Sequence, residues 1–131
     1  MIVLDTHAWV WWVSGARALS AKVARQIERH RERGTIRISS ISVWEVAQLV
    51  ERGRLELTMN VADWVARSEA LPFLEFVPVD NRIALASTRL PGSFHADPAD
   101  RIIVATTQGL GATLITKDDK LRRYEHVETL W

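Results

Sequence analysis

Residues 97–118 open on Asp97-Pro98-Ala99-Asp100-Arg101, continue as IIVATTQGLGA (102–112) and close on Thr113-Leu114-Ile115-Thr116-Lys117-Asp118. Asp97 is a good N-cap, and Pro98 is preorganised for the first position of a helix. Gly109 is expected to end that helix, and the apolar run Thr113–Thr116 then reads as a strand. Asp118 follows at once and caps a short helix. A capped helix feeding an apolar strand is half of a strand–helix–strand unit, the element from which parallel sheets are made.

The same alternation continues outward towards both ends. Ile2-Val3-Leu4 is a short buried strand, followed by a helical stretch through Trp12. Ser20 caps an amphipathic helix carrying Val23, Ile27 and His30, which Gly34 stops. Thr35–Ile38 reads as a second strand, and Ser42 opens a helix that runs to Gly53. Asn60 caps a helix with Val61, Trp64 and Val65. Phe76–Val79 reads as a strand with weak or edge pairing, because Pro78 has no N–H to give to a neighbour. Asp80 caps a helix through Arg89, residues 91–95 form a loop, and His126–Glu128 is a weak last strand. No repeat or linker interrupts this order, which predicts one domain over residues 1–131. The expected fold is a three-layer α/β/α sandwich around a mostly parallel sheet of roughly five strands.

Composition sets bounds on function without naming it. The chain is 47% hydrophobic and 25% charged, as in an ordinary globular protein. With no cysteine, disulfides and thiolate metal sites are excluded, which fits a cytoplasmic setting. The apolar N-terminus is broken by Asp5 and His7 and lacks a basic leader, so neither a signal peptide nor a membrane span is expected. The net charge of +1 permits a nucleic-acid substrate but does not argue for one. Arg101, Lys117, Lys120, Arg122 and Arg123 do lie close to acidic residues in sequence. Six tryptophans in a small chain are more than a core needs, which points to a covered subunit contact and hence a homodimer.

The acidic residues carry the chemistry. In a parallel sheet, strand C-termini and helix N-termini share one edge, and ligand sites gather there. Asp5 ends the first strand, Glu45 lies in the first turn after the second, Asp100 heads the helix into the fourth, and Asp118 follows that strand. Thr6, Asp97 and Asp119 belong nearby. Two carboxylates ~5 Å apart repel by roughly 3 kcal/mol at an effective dielectric of ~20, whereas a helix N-terminus returns only about 0.3–1 kcal/mol. Some carboxylates must therefore hold protons, or a cation must sit among them. All-oxygen ligands favour Mg2+ or Mn2+. Simpler roles exist too: Ser42 and Glu45 match a capping box, Asp100 fits the third position after an Asp97 cap, and Asp118 fits a cap. His7 and His95 read as ordinary hydrogen-bonded histidines. The Trp9–Trp12 run reads as core and interface rather than a platform for bases.

These stretches resemble PIN-domain proteins: Val3–Ala8 their opening, Ser39–Ala47 (SSISVWEVA) their second motif, His95–Arg101 followed by IIVATT their third, and Leu114–Asp118 their fourth. The likeness spans essentially the whole chain, and with Glu128–Trp131 it is closest to the VapC-type toxins of prokaryotic toxin–antitoxin pairs. It implies Mg2+- or Mn2+-dependent RNA cleavage by Asp5, Glu45, Asp100 and Asp118, with metal on Asp5 and Asp100. It also implies a homodimer and an antitoxin partner. Ala99 departs from the aromatic often found after the motif proline, and Asp119 competes with Asp118 for the fourth acidic position. Two other readings stand beside it: a catalytically silent module binding RNA or protein, and a phosphatase with Asp5 as nucleophile. The second lacks an aspartate at position 7, and a receiver domain lacks its acidic pair.

Overall fold

The computed structural model describes residues 1–131. In chain order the elements are β1 (Ile2–Leu4), α1 (Thr6–Ser14), α2 (Ala21–Arg33), β2 (Ile36–Ser39), α3 (Ile41–Glu51) and α4 (Val61–Glu69). They continue with β3 (Leu74–Val77), α5 (Asn81–Ser87), α6 (Pro98–Leu110), β4 (Thr113–Ile115), α7 (Asp119–Arg122) and β5 (Thr129–Leu130). All five strands pair in parallel, in the order β3-β2-β1-β4-β5. The three-layer expectation holds, with a sheet that is wholly parallel.

Side-chain alternation along the strands divides the interior into two cores. Ile2, Leu4, Ile36, Ile38 and Ile115 point to one face, where Trp9, Val23, Ile27, Val46 and Trp64 cover them from α1, α2, α3 and α4. Val3 and Leu114 point to the other, under Ile103, Val104, Leu121 and Tyr124 from α6 and the α7 region. Trp9 is fully buried, and its indole N–H donates to Ser68 Oγ at 3.1 Å, which resolves its one polar atom.

Several boundaries differ from expectation, each for a physical reason. Gly109 lies inside α6, and Gly111, at φ +61°, ends it with its N–H on the Thr107 and Gln108 carbonyls. The left-handed turn needs the glycine that can adopt it, and that is the second of the pair. β3 occupies 74–77 rather than 76–79, because Pro78 stops the ladder; the edge position is as expected. β5 lies at 129–130, where Leu130 pairs with Ile115, while Val127 turns into the second core instead. Finally, α3 starts after Ser40, whose side chain makes no capping bond, so Ser42 is already within the helix. No helix is long and apolar enough to cross a membrane.

Candidate active site

The strand order changes direction at β1, whose neighbours are β2 on one side and β4 on the other. The crevice beyond the C-terminal ends of β1 and β4 is the switch point where such sheets bind ligands. A cleft of about 510 Å³ opens there, lined by Asp5, Thr6, Glu45, Asp97, Asp100 and Asp118, with His7, Trp11, Ile103 and Lys117 completing the wall. Six of the seven expected residues meet in it. Asp119, exposed at the start of α7, is not among the lining residues, whereas Asp118 is.

Asp5 is the most deeply set acid, 7% exposed. It is the N-cap of α1: Oδ1 accepts the Ala8 amide at 2.8 Å. Oδ2 accepts the Thr116 hydroxyl, a contact set by the register that pairs Leu4 with Ile115 one residue earlier. The Thr116 hydroxyl oxygen also accepts the Asp118 amide at 3.1 Å, tying the end of β1 to the start of α7. Burial raises the Asp5 carboxyl above the usual carboxylate range, although its two hydrogen bonds oppose the shift.

Glu45 sits one turn into α3, slightly further along than expected. Thr6 Oγ1 lies 2.5 Å from Glu45 Oε1 and 2.9 Å from Ser42 Oγ. With one proton to give, Thr6 donates to the carboxylate, and the Ser42 hydroxyl supplies the hydrogen of the second contact. Glu45 thus bonds across to α1 instead of closing a capping box. Its carboxyl is raised by burial, with Asp97 and Asp5 adding to the shift and the Thr6 bond opposing it.

Asp97 and Asp100 share the first turn of α6. Asp97 Oδ1 accepts the amides of Ala99 at 3.0 Å and Asp100 at 3.3 Å. Asp100 takes no capping role. Burial first, and then the charges of Asp97, Glu45, Asp118 and Asp5, push its carboxyl up to about 7. Asp118 Oδ1 caps α7 through the Lys120 amide at 2.8 Å, leaving Oδ2 uncommitted. The cap fixes one oxygen of Asp118 and leaves the other free.

The uncompensated negative charge and the all-oxygen donor set fit a hard divalent cation. As placed, no three of these groups stand close enough to hold one ion together, so the more exposed carboxylates must turn inward to do so. Sequence reasoning missed Thr116 and Ser42, whose hydroxyls hold Asp5 and the Thr6–Glu45 pair. The signal for Thr116 was its place one residue past β4, level with Asp5 one residue past β1. Arg101 is not a free cation: it donates to the carbonyls of Ser87, Phe94 and His95. Trp11 lines the cleft, with the Lys117 ammonium 5.9 Å from its ring, so the tryptophan run is core only in part.

Fold and cleft together define an α/β protein with an acidic site at the switch point of a parallel sheet. The chain belongs to the PIN domain family, whose model matches residues 2–127. It is 33% identical to Ribonuclease VapC22 of Mycobacterium tuberculosis, over 99% of this chain and 98% of that protein. Its fold is similar to that in the crystal structure of VapBC2 from Rickettsia felis bound to a promoter DNA fragment. That likeness has a TM-score of 0.71 at 19% identity, over 99% of this chain and 98% of that one. FitAcB from Neisseria gonorrhoeae is also similar, at TM-score 0.65 and 20% identity, over 100% and 97%.

Proposed function

We propose that the chain is an endoribonuclease dependent on Mg2+ or Mn2+, a PIN-like domain over residues 1–131 acting as the toxin of a cytoplasmic toxin–antitoxin pair. The observation that carries this reading is the convergence of Asp5, Glu45, Asp100 and Asp118, far apart in sequence, on one cleft. The relative named as a ribonuclease supports the activity. The complexes with antitoxin partners share the fold and make an antitoxin partner the natural expectation.

In this reading Asp5 and Asp100 hold the metal, with Glu45 and Asp118 beside them. A bound Mg2+ or Mn2+ supplies Lewis acidity and positive charge for phosphodiester hydrolysis. Thr116 and the Ala8 amide keep the Asp5 carboxylate in one orientation. Glu45 Oε1 is held by Thr6, which leaves Oε2 to take a proton from the attacking water. Asp118, with Oδ2 free, is the other group placed for that role. Lys117, on the cleft wall, meets the phosphate backbone of the RNA.

The test is incubation of purified protein with a pool of structured cellular RNAs in Mg2+, Mn2+ or EDTA, beside an Asp5→Asn variant. Cuts at a few discrete sites, lost in EDTA and reduced about 100-fold or more in the variant, are the expected result. RNA binding without cleavage by folded, metal-loaded protein transfers the weight to the silent binding module.

A further inference from the structure

The stretch from Pro91 to Ala96 leads into α6 without helix or strand of its own, yet it is tied down at several points. The Tyr124 hydroxyl donates to the Pro91 carbonyl at 2.5 Å, and the Tyr124 ring lies 4.7 Å from that of Phe94. From inside α6, Arg101 donates to the Ser87 carbonyl at 2.8 Å and to the Phe94 and His95 carbonyls at 3.2 Å. The guanidinium therefore fixes the backbone of residue 95 against the first turn of the helix that bears Asp100. A half-buried fork spent on three backbone carbonyls is a strong restraint, since each carbonyl is matched by a charge-assisted donor.

The His95 ring is oriented in turn. It lies 4.3 Å from the Phe94 ring, and its Nδ1 accepts the Asp97 amide at 3.4 Å. With Nδ1 as acceptor, the proton of the neutral ring sits on Nε2. Nε2 is buried with no hydrogen-bond partner of good alignment, and it stands 3.2 Å from Asp100 Oδ2. A buried N–H left unpaired is costly, and a small rotation of the carboxylate pairs this one.

We infer that His95 is a positioning residue: its Nε2–H holds Oδ2 of Asp100, so that Oδ1 is the oxygen presented to the cleft. The alternative is that His95 only packs against Phe94. The kinetic part of the inference deepens the ribonuclease reading and rests on it.

Long-range 15N–1H NMR of the intact protein at pH 8 reads the ring protons without reference to any activity. A proton on Nε2 is expected; a ring whose only proton is on Nδ1 overturns the assignment. Mn2+ binding, followed by electron paramagnetic resonance, then compares wild type with His95→Ala and His95→Gln. Loss of an outer-shell partner weakens affinity roughly 10–100-fold, so Ala shows that loss, while Gln, whose amide reaches the same place, recovers most of it. In RNA cleavage, Ala lowers kcat by a similar factor and leaves KM unchanged. Thermal melts check folding, and His95→Asn, whose amide stops short of Asp100, replaces Ala if Ala is unfolded. Wild-type affinity and kcat in the Ala or Asn variant, or a Gln variant as impaired as Ala, overturns the inference. If wild type binds Mn2+ but cuts no RNA, the ribonuclease reading fails, and the NMR and Mn2+ measurements still decide on His95.

Discussion

Asp100 carries the heaviest electrostatic load in the cleft. Its carboxyl is raised from 3.8 to about 7, and with only 18% of its side chain exposed, solvent screens little of that. Between those two values the folded, metal-free protein binds a proton that the unfolded chain has released. Its stability therefore falls as pH rises from about 4 to 7. Asp100→Asn in EDTA is expected to raise the melting temperature at pH 8, corresponding to on the order of a few kcal/mol. The gain should shrink as pH falls towards 4, and thermal melts across that range check it. An equal gain at every pH would show that repulsion is not the cause. The four principal acids were legible in the sequence because each follows a strand or heads a helix, positions that local pattern reveals. Thr116, Ser42 and His95 were not, because their partners are set by tertiary register and by a loop path that no periodicity encodes. The cap at Asp5 was also hidden: α1 is apolar on most sides, so its start leaves no amphipathic mark.

At the level of elements, strand–helix alternation placed every helix and the three strands of the sheet centre. The misplaced boundaries were at the two edge strands, at the start of α3 and around two glycines at the end of α6. Edge strands are short and paired on one side only, so pairing partners fix their ends more than composition does. The glycines give a direct test. Gly109 lies within helix α6 and an added methyl meets nothing within 4 Å, so Gly109→Ala should stabilise by about 0.5–1 kcal/mol. Gly111 has equally open surroundings, but at φ +61° an alanine costs roughly 1–2 kcal/mol. Denaturant midpoints should move in opposite directions. If both substitutions stabilise, the helix does not end where the backbone angles place it.

Taken as a whole, the molecule leaves Trp44 and Leu85 each 55% exposed, on α3 and α5. We propose a homodimer that buries such residues, and sedimentation at micromolar concentration checks it. Trp44→Glu should shift the protein towards monomer, and a wild-type monomer would overturn the homodimer expectation. The parallel sheet has one more consequence. The contact between Asp5 and Thr116 joins residues separated by 111 positions, and β1 lies between β2 and β4. A nascent chain emerging from the ribosome presents Asp5 long before Thr116, 111 positions later, at the end of the strand that completes its surroundings. Three of the four acids are in hand well before the cleft exists. A cleft of this design is absent while the chain is being made, and synthesis aborted before β4 releases a fragment that carries acidic groups but no site.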